Sequence, residues 1–290
     1  MKAFSRKEGI FLIILFLFAL GLRLAYLTQL QGSPMFDAPI MDAKYHDEWA
    51  QSIQNDWLQS EHPFNQGPFF RAPLYGYFLA VLYSLFGHSY LVPRIVQFLI
   101  GALSVVLVYL LTKKIFGTIV GKTAALLACL YGTLIYFEGE LLIPALILCL
   151  NLLMMLAVFY VHRKPGWWRW LGCGALLGLS VIARPNVLIF LGVLVPWMLV
   201  VLRRNKVSLG RSLTYVLGLL LGVALIISPV TIRNWVVSKD FVPITSQIRV
   251  ARINKASCQR PSLGMQCTIL LGACQVFFIC RGPLPQPSNS

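Results

Sequence analysis

Carboxylates are scarce in this chain. Only ten Asp and Glu residues occur among 290, and six of them, Asp37, Asp42, Asp47, Glu48, Asp56 and Glu61, fall between positions 37 and 61. A carboxylate in such an island can act as a general base on a hydroxyl. Two more, Glu138 and Glu140, are separated by a single glycine. Carboxylates that close repel, which favours a bound divalent cation or a held proton. Arg23, Arg71, Arg184 and Arg233 each sit within or beside an apolar run, and the guanidinium fork matches phosphate oxygens. Proton abstraction beside a phosphate is the chemistry these residue types allow. The plain alternatives are a solvated external loop for the acids and headgroup anchoring for the arginines.

The elements that must hold these groups follow from hydropathy. The chain is 58% hydrophobic and 12% charged, with several runs near the roughly 20 residues that cross a bilayer. The reading is an all-α polytopic membrane protein of about seven transmembrane helices, at 9–30, 90–111, 119–137, 141–161, 171–183, 187–202 and 213–227. The acidic island then lies in a long first external loop, 31–89. Between Asp42 and Gln59, Tyr45, Trp49, Ile53 and Trp57 recur every four positions, which predicts an interfacial helix with the carboxylates on its other faces. Asp42 shares a face with Tyr45 and His46, which can orient its carboxylate. After a segment containing Glu61, His62 and Arg71, the apolar stretch 74–86 ends at Gly87 and reads as a second interfacial or re-entrant helix. Arg184-Pro185-Asn186 makes the outer turn between the short fifth and sixth spans. Glycines four apart, at 174 and 178 and at 218 and 222, indicate close helix packing.

Orientation comes from the basic residues, because short loops rich in Lys and Arg stay in the cytoplasm. Lys2, Arg6 and Lys7, then Lys113 and Lys114, then Arg163, Lys164 and Arg169, then Arg203, Arg204, Lys206 and Arg211 fall on alternate ends of the spans. The N-terminus is therefore expected in the cytoplasm, with every acid but Glu8 on or near the external side. The formal charge of +15 records topology and calls for no nucleic acid. The first span carries Arg23 and no small-residue cleavage site, so it reads as retained. There is no P-loop, no dinucleotide glycine pattern and no Cys/His metal spacing.

These residues, in this order, resemble the GT-C superfamily of membrane glycosyltransferases, of the bacterial protein-mannosyltransferase and aminoarabinose-transferase type. The likeness rests on Arg23, on MDAKYHDEWA, on Phe-Arg-Ala-Pro-Leu-Tyr at 70–75, on Tyr-Phe-Glu-Gly-Glu at 136–140, on Ala-Arg-Pro-Asn at 183–186 and on Pro-Val-Thr-Ile-Arg-Asn at 229–234. It covers about residues 10–247.

The resemblance implies a multi-pass enzyme of the bacterial cytoplasmic (inner) membrane. Such an enzyme would transfer a sugar, with inversion, from a polyprenyl-phosphate donor to a lipid, glycan or protein acceptor on the periplasmic side. It makes Asp42 the expected base, with Asp47 as competitor and Tyr45 beside it. Arg184, Arg233, Arg71 and Arg23 would hold the donor phosphate, and Glu138 and Glu140 would hold a divalent ion if one takes part. Where the aminoarabinose enzymes have lysine before the loop proline, this chain has Ala72. The competing readings are a transporter lined by the same charges and a non-catalytic remnant. Residues 248–290 hold four of the seven cysteines, five basic residues and no acid. They are expected to be an atypical tail after a GT-C-like domain of residues 1–247, disordered or the product of a frameshift or truncation, with a genuine short tail as the alternative.

Overall fold

The computed structural model describes residues 6–34, 36–57 and 67–246, together with the backbone of 266–272 and 275–281. Gln59, Glu61 and His62, and most of the expected tail, lie outside the described residues. The chain divides into two units, Met1–Ile244 and Thr245–Ser290. In the second, strands β1 (Gln266–Gly272) and β2 (Gln275–Arg281) pair antiparallel, with Gln266 opposite Arg281.

The first unit is all-helical among its described residues. In order it holds α1 (Arg6–Gln31), α2 (Met41–Asn55), α3 (Leu74–Phe86), α4 (Leu91–Phe116), α5 (Thr118–Leu130), α6 (Gly132–Gly139), α7 (Pro144–Val161) and α8 (Trp167–Ala183). A 3-10 turn (Pro185–Phe190), α9 (Leu191–Arg204) and α10 (Leu209–Ser238) follow. Five are long and apolar enough to cross a membrane: α1, α4, α7, the 3-10 turn with α9, and α10. The pair α5 and α6, bent by 51°, makes a sixth if it counts as one span. Every one of the seven expected stretches is helical, but α8 has only 17 residues. It reaches about 26 Å, short of the ~30 Å hydrocarbon core.

Local chemistry sets the boundaries. Pro144 and Pro185 open their helices at the first turn, where the missing N–H is no loss. Gly87, at φ 77°, stops α3 where the sequence placed its end. The last helix departs from expectation: α10 runs straight through Pro229 to Ser238 instead of leaving the bundle near residue 227. Pro229 has no N–H for the Leu225 carbonyl, and Ser228 Oγ donates to that oxygen at 3.0 Å. With the freed acceptor satisfied, the helix continues.

Glycine decides how α8 and α10 meet. Trp167 lies against Gly218, Gly174 against Leu219 and Gly222, and Gly178 against Ile226, so the two helices run parallel. The C-terminal ends of α8 and α10, with Arg184 and Arg233, therefore share one end of the bundle. Val158, Trp170, Leu177, Met198 and Leu219 fill the core that α7, α8, α9 and α10 enclose. A separate core under the first loop joins Trp49, Ile53, Phe69, Tyr75, Leu79 and Tyr83.

Candidate active site

Helix α2 is amphipathic, but its buried face differs from the one the four-residue spacing suggested. Ala43, His46, Asp47, Trp49, Ala50 and Ile53 are buried, Tyr45 is half-buried and Trp57 is exposed. Residues four apart drift by ~40° per step around a helix of 3.6 residues per turn. Trp57 has thus rotated off the face, and the helix stops at Asn55. The same geometry carries Asp47 inward, where a carboxylate was expected to face outward.

Asp47 is saturated. Tyr83 Oη donates to Oδ1 at 2.7 Å, and His88 Nε2 stands 2.9 Å from the same oxygen. Gln51 Nε2 and Tyr90 Oη donate to Oδ2 at 3.0 and 3.2 Å. Burial first and the Asp47 hydrogen bond second raise the Tyr83 phenol well above its ordinary range, so it stays a donor. A buried carboxylate ringed by donors pins α2 to α3 and has little room for a substrate hydroxyl.

Asp42 has the opposite setting. Its carboxylate is 54% exposed and takes one hydrogen bond on Oδ1, from Arg71 Nη2 at 2.9 Å. The Arg71 guanidinium lies 4.5 Å from the centroid of the Tyr45 ring, which orders the fork by cation–π contact. Burial, with Asp42 as a smaller cause, raises the Tyr45 phenol despite the opposing Arg71. Asp42, Tyr45 and Arg71 thus form one cluster open to the outside. The expected role of His46 as orienter fails, because its ring packs inward against Tyr75 at 4.9 Å.

Arg23 and Glu138 are each other's partners. Arg23 Nε and Nη2 donate to the two Glu138 oxygens at 2.6 and 3.0 Å, Nη1 donates to the Ala19 carbonyl, and both side chains are 2% exposed or less. Glu138 belongs to the last turn of α6 and not to an exposed turn, and it is buried against Gly101 of α4. Both oxygens serve Arg23, so the expected cation pair of Glu138 with Glu140 does not assemble, nor is Arg23 open to a donor phosphate. Among the described residues no group of three or more His, Cys, Asp or Glu is arranged to hold a metal ion.

Sequence reading missed the residues that close this end of the bundle. Gln97 Nε2 donates to the carbonyls of Glu138 and Glu140 at 2.8 and 2.7 Å, and its Oε1 accepts from Tyr75 Oη at 2.7 Å. Arg94 Nε donates to the Gly139 carbonyl at 2.9 Å and Nη1 to that of Phe36 at 2.9 Å. Together they cap the carbonyls that α6 leaves open. Polar residues three apart in an otherwise apolar helix were the available signal.

The other two arginines differ sharply. Arg233 is buried in α10, donates from Nη1 to the Gly67 carbonyl at 2.8 Å and stacks 4.1 Å from the centroid of Phe69. Its neighbour Asn234 accepts from the Phe69 amide at 3.0 Å and donates to the Val242 and Ile244 carbonyls. Arg233 therefore clamps the first loop to α10 and does not emerge from the bundle. Arg184, at the end of α8, is exposed and makes no side-chain hydrogen bond or ion pair among the described residues. Of the expected phosphate ligands it is the one with no side-chain partner among the described residues, while Arg71 has only Nη2 engaged, on Asp42.

A first loop whose described part is anchored to a polytopic helical bundle and leaves Asp42 exposed is the frame on which the likeness to known proteins falls. Residues 68–232 match the dolichyl-phosphate-mannose-protein mannosyltransferase family. The chain belongs to that family. The match begins beside Phe69 and Arg71 and ends just before Arg233, and it makes the protein a glycosyltransferase of the mannosyltransferase type. No curated protein matches the chain, and no solved structure matches it.

Proposed function

We propose that this mannosyltransferase-family protein transfers a sugar from a polyprenyl-phosphate donor to a hydroxyl of a lipid, glycan or protein acceptor. The reaction takes place at the end of the bundle that carries α2. The basic residues of the loops gather at the other end, where Lys113 pairs with Glu8 and where α7 and α9 terminate. That distribution supports a cytoplasmic N-terminus and a periplasmic site in a bacterial inner membrane.

One observation carries the reading. Asp47 and Glu138 are consumed by internal partners, whereas Asp42 keeps an oxygen open beside two ordered side chains. Asp42 takes the proton of the acceptor hydroxyl as its oxygen bonds to the anomeric carbon. The bond from that carbon to the phosphate oxygen breaks, and the lipid phosphate leaves with the electron pair. Attack from the face opposite the phosphate inverts the centre. Arg184 and Arg71 hold the phosphate, and a cationic donor beside the departing oxygen supplies the electrostatic stabilisation. No step is routed through a divalent ion, because Glu138 belongs to Arg23.

The test is Asp42→Asn in the full chain, assayed for transfer from a polyprenyl-phosphate sugar and for donor binding. Transfer should fall by about 10² to 10⁴-fold with donor binding retained, while Asp56→Asn stays near the parent. Equal losses in both variants would reduce Asp42 to loop solvation.

A further inference from the structure

The far end of the bundle holds a feature that the transfer reaction does not use. Between the C-terminal turns of α7 and α9 lies a cavity of about 540 Å³. His162, Arg163, Arg204 and Asn205 supply its polar wall, and Val201 and Val207 are among its apolar residues. Arg163 and Arg204 are exposed and make no side-chain hydrogen bond or ion pair among the described residues. Nearby Arg169, by contrast, is engaged: it donates to the Lys164 carbonyl at 2.7 Å and faces Tyr160. Lys114 of α4 lies within electrostatic range of Arg163 and adds to the positive field.

No carboxylate among the described residues pairs with Arg163 or Arg204. From 141 to 239 the chain contains no Asp or Glu, so the whole α7–α10 half brings only cations to this end. The cavity lies at the ends of helices whose outer flanks are apolar, with Tyr160, Trp197 and Val200 exposed. The ring of Trp197 meets His162 at 5.9 Å, as an aromatic residue at the headgroup level would. A simpler role for the arginines is to offset the negative C-terminal ends of α7 and α9. Arg203, on the same last turn of α9, would serve that role equally but does not line the cavity.

We infer that this cavity is a binding site for a phosphate group at the membrane surface, gripped by Arg163 and Arg204 with His162 and Asn205 as further donors. Basic pockets between helices at this level suit anionic phospholipid headgroups, and a soluble phosphate presents the same oxygens. The ligand's apolar part would follow the exposed flanks of α7 and α9.

Delipidated full-length protein in neutral detergent is titrated with phosphatidylglycerol or phosphatidylcholine, and retained lipid is counted by native mass spectrometry. Phosphatidylglycerol should be retained over phosphatidylcholine. Each of Arg163→Gln and Arg204→Gln should weaken retention by about fivefold and the double variant by roughly 25-fold. Arg203→Gln with Lys206→Gln, which removes the same charge outside the cavity, should stay within about twofold of the parent. A soluble-phosphate arm separates the sources: displacement of the lipid by inorganic phosphate keeps the site and assigns it to a soluble ligand. Equal losses in the cavity and control variants, or no preference for the anionic lipid, would overturn the assignment.

Discussion

Replacing Glu138 with Gln leaves the shape of α6 nearly unchanged and removes the counter-charge of Arg23. The guanidinium is fully buried, and its other hydrogen bond goes to the neutral Ala19 carbonyl. Breaking a buried pair from one side costs about 3–5 kcal/mol, because the surviving charge stays desolvated. At about 2–4 °C per kcal/mol for a chain near this size, the thermal midpoint should fall by about 6–20 °C. The joint variant Arg23→Met, Glu138→Met removes both desolvation costs and should recover most of that loss. Gly101→Ala offers an independent check, since a Cβ there would run into both Glu138 oxygens. It should destabilise the parent by displacing that carboxylate from Arg23 and add less to Glu138→Gln, where the ion pair is already lost, a non-additivity that a double-mutant cycle measures. The assay is thermal unfolding in detergent followed by intrinsic fluorescence. If Glu138→Gln unfolds like the parent yet abolishes a divalent-ion requirement for transfer, Glu138 is a metal ligand and the pairing argument is wrong.

Three more outcomes follow from the geometry. Asp47→Asn places an amide against four donors and should destabilise the α2–α3 unit by about 1.5–3 kcal/mol per charged hydrogen bond lost. Hydrogen exchange in α2 should rise, and a variant as protected as the parent would count against the pin. Asn234→Ala frees the Phe69 amide and the Val242 and Ile244 carbonyls. Limited proteolysis between 67 and 71 should then quicken by about fivefold, at roughly 1 kcal/mol net for the bond to the Phe69 amide; an unaltered pattern would mean the loop is held elsewhere. Tyr83 titrates above its ordinary value near 10 in the folded state, so the folded chain keeps that proton to higher pH than the unfolded one. Its contribution is whole below about pH 10 and is lost as pH climbs through the raised value. The thermal midpoint should therefore drop more steeply above that pH in the parent than in Tyr83→Phe, and parallel curves would refute it.

Much of the architecture was legible because a bilayer admits few solutions. A run long and apolar enough must be helical, so α1, α4, α7 and α10 could be placed from composition. Turn chemistry fixed the end of α3 at Gly87 and the break at Pro185. What escaped was pairing across long sequence distances. Nothing local in Arg23 announces Glu138, and a spacing of one residue between Glu138 and Glu140 invited a cation site that the last turn of α6 prevents. Asp47 and Asp42 are alike in sequence and separate only when the rotation of α2 is known. Pro229 read as a helix end because the rescue by Ser228 Oγ is a matter of geometry.

The seam between α8 and α10 also bears on how the chain is assembled. A Cβ at Gly174 would run into the Leu219 carbonyl, and one at Gly222 into that of Leu171, so each helix rests on the backbone of the other. During synthesis α8 is made well before residue 222 exists. At about 5–20 residues per second, its glycine face stays uncovered for seconds. Being at the short limit for the bilayer, it gains from pairing with the 3-10 turn and α9 as a hairpin. The arrival of α10 closes the seam and carries Arg233 and Asn234 to the first loop, which was made long before. The loop that presents Asp42 is thus fastened only once α10 is in place, and a chain arrested ahead of α10 would leave the glycine face of α8 uncovered.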